Sequence, residues 1–149
     1  MQKSTSSLIF PDVNVWVALA YDKHSHHSAA HRWFDSLNLE DPLCFCRFTQ
    51  IGFLRLLSTE AVMGIDGVLS QSEAWREYDR WFKEGRVEFL DEPDGLELRF
   101  RSLSDNDRPS RKDWADAYLT AFAAAGGLHL VTFDRGFRNR LRDVVILES

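Results

Sequence analysis

The segment LIFPDVNVWVALA, residues 8–20, changes its hydrophobic pattern at a single acid. Leu8 to Phe10 is a short apolar run that predicts a strand, whereas the apolar residues after Asp12 recur at helical spacing. Asp12 is a candidate N-cap for that helix. Pro11 has no N–H to donate, so we expect the strand to stop pairing on that side near Phe10. The segment therefore predicts a strand, a tight turn and a helix.

Strand-like apolar runs and amphipathic helices alternate along the rest of the chain. The expected strands are 43–48, 87–90, 128–133 and, as a fifth candidate, 144–147. The expected helices are 29–37 with a Ser28 cap, the segment from a Thr49 cap to Leu57, the segment from Ser70 to about Gly85, and 112–125. Residues 102–112 are rich in Asp, Asn, Pro and Ser and predict a loop. This alternation is typical of an α/β protein with a parallel sheet.

Length and composition limit the class of protein. The chain has 149 residues, of which 44% are hydrophobic, so we expect a single domain over 1–149 with one packed core. The longest uncharged stretch, 117–133, contains two glycines and a histidine and does not predict a membrane span. Only about three consecutive apolar residues precede Pro11, whereas a signal peptide needs roughly 7 to 15. We therefore expect a cytoplasmic protein.

Charge is distributed unevenly. The formal net charge of -5 disfavours non-specific binding to duplex nucleic acid through bulk charge. Arginines nevertheless crowd near the C-terminus, at Arg135, Arg138, Arg140 and Arg142. Two interpretations are open: a solvated basic face, or a set of side chains that position phosphate groups beside the acid that precedes them.

Two groups of residues that resemble metal ligands are expected to be structural. Cys44 and Cys46 are two residues apart in an apolar run, where strand geometry would point them to opposite faces and prevent a disulfide. His27 and His31 have the i, i+4 spacing that can chelate a metal, but no third ligand is evident. We expect core thiols and structural or solvated histidines.

Two acids directly follow predicted strands. Asp12 comes after residues 8–10, and Asp134 comes after residues 128–133. Because functional groups of open parallel sheets gather beyond the carboxyl ends of the strands, the pair predicts a site at that edge. Each acid taken alone is equally well explained as an N-cap of the helix that follows it.

Asp116 is a third candidate, on the predicted helix 112–125. It shares a narrow polar stripe with Asp113 and Thr120, and alanines rather than Lys, Glu or Arg border that stripe. Two interpretations are open. The stripe is either a solvated face or the wall of a site that another element or a ligand approaches closely.

Gln50 is a fourth candidate, because its helical spacing from Phe53, Leu54 and Leu57 turns its amide towards the core. A buried amide must find a hydrogen-bond partner. Gln50 is either a satisfied core glutamine or a member of the same pocket as the acids.

Several carboxylates gathered in one place would repel one another and tend to keep their protons unless a cation neutralises them. Oxygen ligands select a hard divalent ion such as Mg²⁺ or Mn²⁺. Such a site can activate water and stabilise the charge that develops on a phosphodiester.

Four segments, in order, resemble the successive motifs of PIN-domain ribonucleases, above all the toxin half of VapBC toxin–antitoxin pairs. They are LIFPDVNV at 8–15, FTQIGFLRL at 48–56, DAYL at 116–119 and TFDRGF at 132–137. Each motif is weak by itself, whereas four in this order and spacing are fairly specific. The resemblance covers essentially the whole chain.

The resemblance implies a three-layer α/β/α sandwich around a mostly parallel sheet and endonucleolytic cleavage of RNA that depends on Mg²⁺ or Mn²⁺. By motif, Asp12, Asp116 and Asp134 match metal-site acids, and Asn14 matches a polar residue that orients Asp12. Thr132, in the last motif, is a candidate supporting residue.

Two positions depart from the family pattern. Gln50 stands where many members have Glu, which would lower the negative charge of the site, and Pro11 is unexpected directly before the first acid. Asp113, one turn before Asp116, either compensates as an additional acid or is an exposed acid that favours the helix dipole. We count Gln50 with the three aspartates as a candidate catalytic residue, and Arg135 and Arg138 as candidate RNA-phosphate contacts.

The resemblance also implies a cognate antitoxin as a partner. We expect the tryptophans and phenylalanines at helical spacing to be mostly core residues, with Trp75, Trp81 and Phe82 as alternative contributors to a homodimer or an antitoxin-binding groove. The alternative function is a catalytically weak PIN-like module that binds RNA or protein, suggested by Gln50. A phosphate-accepting signalling domain ranks third, because it would need an adjacent acid pair where Val13 and Asn14 follow Asp12.

Overall fold

Within residues 8–149, five short parallel strands form one sheet whose central strand is the first in sequence. The computed structural model describes those residues, and residues 1–7, on which part of the signal-peptide expectation falls, lie outside it. The strands are β1 (Ile9–Pro11), β2 (Leu43–Phe45), β3 (Val87–Phe89), β4 (His129–Thr132) and β5 (Val144–Ile146). Their order is β3-β2-β1-β4-β5. The predicted parallel sheet is confirmed, including its fifth strand.

Seven α-helices connect the strands in the same part of the chain. They are α1 (Val13–Ala20), α2 (His27–Asp35), α3 (Arg47–Leu57), α4 (Glu60–Met63), α5 (Gln71–Phe82), α6 (Leu96–Ser104) and α7 (Asp113–Gly126). A short 3-10 helix, Arg135–Asn139, follows β4. Among the described helices, none has the length and apolar character that a membrane crossing requires.

The two faces of the sheet bury two separate cores, because successive side chains of a strand point to opposite faces. Ile9 and Phe45 face a core that α1, α2, α3 and α5 cover. Phe10, Cys44 and Leu130 face a second core, covered by α6 and α7. The result is the three-layer α/β/α sandwich that the resemblance implied.

Side-chain caps begin two helices as predicted. Asp12 caps α1 by accepting a hydrogen bond from the Val13 N–H at 2.7 Å. Ser70 caps α5 in a capping box, in which the Ser70 hydroxyl accepts from the Glu73 N–H and Glu73 accepts from the Ser70 N–H. At the other end of the sequence, Gly127 ends α7 in the left-handed conformation, with φ of 65°.

Two predicted caps are wrong. The expected strand 43–48 ends at Phe45, and α3 begins at Arg47, so Thr49 lies inside the first turn. There its hydroxyl accepts a hydrogen bond from the Cys46 N–H at 2.9 Å. Ser28 lies inside α2, which begins at His27 without a side-chain cap. In both cases the chain turns into the helix earlier than the capping pattern indicates.

Both cysteines are free and buried, as expected. The prediction that they face opposite sides of the sheet is wrong, since Cys44 and Cys46 belong to the same core. The reason is the period of a strand, in which residues two positions apart, such as Cys44 and Cys46, point to the same face.

The histidine pair of α2 binds the end of α1. His27 Nδ1 lies 2.7 Å from the Ala18 carbonyl oxygen, and His31 Nε2 lies 3.2 Å from the Leu19 carbonyl oxygen. Because a carbonyl can only accept, both ring nitrogens donate, and they satisfy carbonyls that the last turn of a helix leaves unpaired. These contacts support the structural interpretation of the pair.

The largest aromatic cluster surrounds Trp16, which is fully buried. Its ring stacks on Phe45 at 4.1 Å between centroids and meets the edges of Phe53 and Trp81. Trp81 is therefore a core residue, which confirms the core interpretation for this position and not the groove. Trp75, by contrast, is 47% exposed.

We expect Trp16→Ala to lower the free energy of unfolding by about 3–5 kcal/mol, because it removes a buried aromatic ring and leaves a cavity. Urea titration followed by circular dichroism measures the change. Trp75→Ala is the matched control and should shift stability by no more than about 0.5 kcal/mol. Equal effects of the two substitutions would contradict the assignment of Trp16 to the centre of this core.

Candidate active site

The candidate site lies where the order of the sheet reverses. From the central strand β1, β2 and β3 extend to one side and β4 and β5 to the other. The β1–β4 register pairs Phe10 with Leu130 and Pro11 with Val131, which carries β1 one residue beyond its predicted end. Asp12 and Asp134 follow these strands and so lie at the same edge of the sheet. Ligands of open α/β sheets bind at such switch points.

The Thr132 hydroxyl links the two strand ends. It donates a hydrogen bond to Asp12 Oδ2 at 2.8 Å. It accepts hydrogen bonds from Asn14 Nδ2 at 3.3 Å and from the Asp134 N–H at 3.0 Å. One donor and two lone pairs exhaust the capacity of a hydroxyl, so its hydrogen has to point at Asp12. This arrangement favours the ionised form of Asp12.

Asn14 ties the first turn of α1 to the end of β4. Besides its contact with Thr132, its Oδ1 accepts a hydrogen bond from the Phe133 N–H at 3.3 Å. Since a backbone N–H can only donate, the Asn14 oxygen must face Phe133 and its nitrogen must face Thr132. Asn14 therefore acts on Asp12 through the Thr132 hydroxyl.

Burial and neighbouring charges act together on Asp12, which is only 9% exposed. Burial raises the pKa of its carboxyl, and repulsion from Asp116 and Asp134 raises it further. Hydrogen bonds from Thr132 and from the Val13 N–H oppose that rise. Three acids that are distant in sequence are thus close enough for electrostatic repulsion between their carboxylates.

Asp116 lies in the first turn of α7 and lines a cleft of about 300 Å³ together with Asp12. Burial raises the pKa of its carboxyl, the Arg140 guanidinium lowers it, and repulsion from Asp134 raises it again. Its stripe is not a solvated face, since Ala117 and Thr120 are buried. The structure therefore supports the interpretation of this stripe as a wall that other elements cover.

The donor chemistry of these acids fits a hard divalent cation. Three carboxylates that repel one another gain from a positive charge placed between them, and oxygen ligands select ions of the Mg²⁺ and Mn²⁺ type. Within residues 8–149, no three His, Cys, Asp or Glu side chains are arranged to grip a metal ion directly. Mg²⁺ keeps several of its waters and needs only one or two carboxylates, so a hydrated ion suits this looser grouping.

Asp113 has a partner of its own. Its carboxylate forms an ion pair with Arg140, and both side chains are largely withdrawn from solvent. Asp113 is therefore not an exposed acid at the start of the helix. Its charge is compensated by Arg140 and does not add to that of the site. Arg140, which also acts on Asp116, is a contributor to the site's electrostatics that the sequence marked only as one of four clustered arginines.

Gln50 lies outside the acid group. It is buried, and its Oε1 accepts a hydrogen bond from Arg47 Nη1 at 2.6 Å. It also contacts the Tyr78 hydroxyl. Burial raises the pKa of Tyr78, and the contact with Gln50 opposes that rise. The residues of α3 that line the cleft with Asp12 and Asp116 are instead Phe48, Ile51, Gly52, Arg55 and Leu56. The hydrogen bonds of Gln50 thus support its interpretation as a satisfied core glutamine.

Gly52 lies where α3 closely approaches Val13 of α1. A Cβ at this position would lie 2.7 Å from Val13 Cγ2, so any side chain there would push the two helices apart. The same close approach brings the Arg55 side of α3 next to Asp12. Of the arginines that the sequence favoured, Arg135 and Arg138 lie exposed on the 3-10 helix that follows Asp134.

Comparison with known proteins gives a consistent result. The family model of the PIN domain matches residues 9–141. The chain is 41% identical over 133 residues to ribonuclease VapC41 of Mycobacterium tuberculosis, covering 87% of this chain and 91% of the relative.

Solved structures share the fold. The crystal structure of VapC20 of Mycobacterium tuberculosis, a Sarcin-Ricin loop cleaving toxin, aligns with a TM-score of 0.65 at 15% identity over 94% of this chain and 99% of that one. VapBC2 from Rickettsia felis, bound to a DNA fragment from its promoter, aligns with a TM-score of 0.65 at 11% identity, over 95% of this chain and 99% of that one. At these identities the likeness concerns the fold alone. The extent of the family match and the identity to VapC41 show that this chain belongs to the PIN-domain family.

Proposed function

We propose that this protein is a metal-dependent endoribonuclease and the toxin of a toxin–antitoxin pair. The similarity to ribonuclease VapC41 over most of both chains supports this function. The observation that carries the proposal is the setting of Asp12, a nearly buried carboxylate that Asp116 and Asp134 repel. The charges of these two further acids act on the pKa of Asp12, and both raise it. Such a group is suited to a cation supplied from solution.

The three acids have different surroundings and therefore different tasks. Asp12, fixed by Thr132 and Val13, and Asp116, on the facing helix, are the residues that would hold Mg²⁺ or Mn²⁺. When bound, such a cation would supply a water of lowered pKa near the phosphodiester. Asp134 is exposed, and its Oδ1 accepts a hydrogen bond from the Gly136 N–H at 2.8 Å. It orients water at the open side of the site.

The partners of the proposed function are RNA, an antitoxin protein and a second copy of the chain. Solved toxin–antitoxin complexes such as VapBC2 support the antitoxin. Arg135 and Arg138, exposed beside Asp134, are proposed to contact phosphates at the rim of the site. A cytoplasmic location and a homodimer that uses the exposed Trp75 complete the proposal, with residues 1–149 acting as one domain.

The alternative of a catalytically weak binding module loses its main support. It was suggested by Gln50 in place of an acid, and Gln50 faces Arg47 and Tyr78 instead of the three aspartates. The charge of the acid group is therefore independent of the residue at position 50.

Asp116→Asn should reduce RNA cleavage about a hundredfold or more and weaken Mn²⁺ binding, because it removes one of the carboxylates that hold the ion. Cleavage of total RNA and calorimetric titration with Mn²⁺ measure the two effects. Asp22→Asn, an exposed acid outside the cleft, is the matched control. An Asp116→Asn variant that cleaves RNA as fast as the wild type would refute the proposed site.

Thr132→Val should weaken Mn²⁺ binding by roughly 10- to 100-fold, since it removes the hydrogen bond that holds Asp12. It should also destabilise the fold by about 1–3 kcal/mol, because Asn14 and the Asp134 N–H lose their acceptor. Thr132→Ser keeps the hydroxyl and is expected to retain most of the metal affinity. If Val and Ser variants bind Mn²⁺ equally well, Thr132 does not position Asp12.

Gln50→Glu should leave the affinity for Mn²⁺ unchanged, because position 50 lies outside the acid group. The new carboxylate meets Arg47 and the Tyr78 hydroxyl, so we expect a small change in melting temperature. Gln50→Leu, which leaves Arg47 and Tyr78 without this partner, should cost about 1–3 kcal/mol. Tighter Mn²⁺ binding by Gln50→Glu would return position 50 to the site.

A further inference from the structure

One face of α3 forms the wall of the acid cleft opposite α7. Phe48, Ile51 and Arg55 are three, four and seven residues apart, so they lie on the same side of the helix. All three line the cleft of about 300 Å³ that also contains Asp12 and Asp116. Phe48 is 39% and Ile51 54% exposed, although both are large and apolar. We call Phe48, Ile51 and Arg55 the α3 wall.

Arg55 is the cation of this wall, and it is exposed. Among residues 8–149, its side chain makes no hydrogen bond or ion pair. Two other arginines near the site have partners: Arg140 pairs with Asp113, and Arg47 donates to Gln50 and lies over the Phe89 ring at 4.7 Å. Arg55 therefore faces the acid cleft with its full set of donors available.

A positively charged residue in the cleft would offset the repulsion between the acids and an anionic substrate. A polyanionic substrate is repelled by Asp12 and Asp116, and only part of that repulsion is removed by a cation held between them. A guanidinium on the opposite wall binds a phosphate through two parallel hydrogen bonds and holds it at a fixed distance from the acids. The neutral part of the same wall, Phe48 and Ile51, has no such electrostatic task.

Phe48 offers a ring at the edge of the cleft. Its centroid lies 5.3 Å from that of Tyr118, which supports the ring from the side of α7. Unpaired nucleobases stack on aromatic side chains of this kind, and stacking tolerates every base. Phe48 lies about two helical turns from the unpaired Arg55, so one strand of RNA can place a base on the ring and a phosphate on the guanidinium.

We propose that the α3 wall binds single-stranded RNA across the acid cleft, with Arg55 on a phosphate beside the scissile bond and Phe48 stacked on an adjacent base. This inference rests on the proposed function and names its substrate-binding residues. Neither residue takes part in the chemistry. Their loss should weaken binding of RNA and leave the acids, and the metal affinity of the acids, as they are.

Arg55 is tested by its effect on the salt dependence of binding. Fluorescence anisotropy of a mixed-sequence single-stranded oligoribonucleotide, measured in EDTA at several salt concentrations, gives affinity without cleavage. Arg55→Ala should weaken binding about tenfold and lower the salt slope by about 0.7, the value of one phosphate contact on a single strand. Arg55→Lys should keep the slope. Arg32→Ala, an exposed arginine of α2 outside the cleft, should change neither quantity.

Phe48 is tested in the same assay, where its loss should change the affinity but not the salt dependence of binding. Phe48→Ala should weaken binding at least fivefold and leave the salt slope unchanged, because stacking neutralises no phosphate. Leu98→Ala removes an exposed apolar side chain outside the cleft and is the control. In cleavage of total RNA, the Arg55 and Phe48 variants should raise KM far more than they lower kcat.

The outcomes separate this inference from the function on which it rests. If the wild type cleaves RNA and Arg55→Ala matches Arg32→Ala in affinity, slope and KM, the proposed function stands and the α3 wall is overturned as an RNA contact. If the wild type neither binds nor cleaves RNA, both proposals fail together. Normal circular dichroism and unchanged Mn²⁺ affinity of the variants exclude unfolding as the cause of a loss.

Discussion

The pairing of β1 with β4 is the interaction on which both the fold and the candidate site depend. It joins residues more than a hundred positions apart, aligning Phe10 with Leu130 at the centre of the sheet. Because the strands are parallel, the residues that follow them emerge at one edge, and the Thr132 hydroxyl closes that edge by donating to Asp12. A shift of register by one residue would turn every side chain of β1 to the other face and separate these groups.

Repulsion among Asp12, Asp116 and Asp134 destabilises that edge of the sheet. Three carboxylates within sensing distance raise the free energy of the folded chain, and the hydrogen bonds to Asp12 offset only part of it. The chain neutralises the acids only in part, since Arg140, which acts on Asp116, also pairs with Asp113, and Arg55 stays unpaired among residues 8–149. The negative charge that remains can bind a cation from solution, and the unpaired guanidinium of Arg55 can bind an anion. This division suits a protein that brings a metal ion and a phosphodiester together.

Helix α3 packs against the core with one face and lines the cleft with the other. Phe53 and Leu57 are buried against the sheet, whereas Ile51 and Arg55 line the cleft. Helical spacing correctly predicted that Gln50 belongs to the core side. Spacing could not predict which partner its amide finds, because that partner, Arg47, comes from the unexpected extra turn at the start of the helix.

The sequence by itself determined the alternation of strands and helices, the caps at Asp12 and Ser70, and the placement of two acids beyond strand ends, because these depend on local pattern and on the geometry of any parallel sheet. Only the tertiary structure decided the helical state of 96–104, whose apolar residues at 96, 98 and 100 alternate as in a strand. There Phe100 packs edge-on against Trp114 and Tyr118 of α7, a contact that no local pattern encodes. The same holds for the α3 wall, because a surface shared by two helices exists only after they pack.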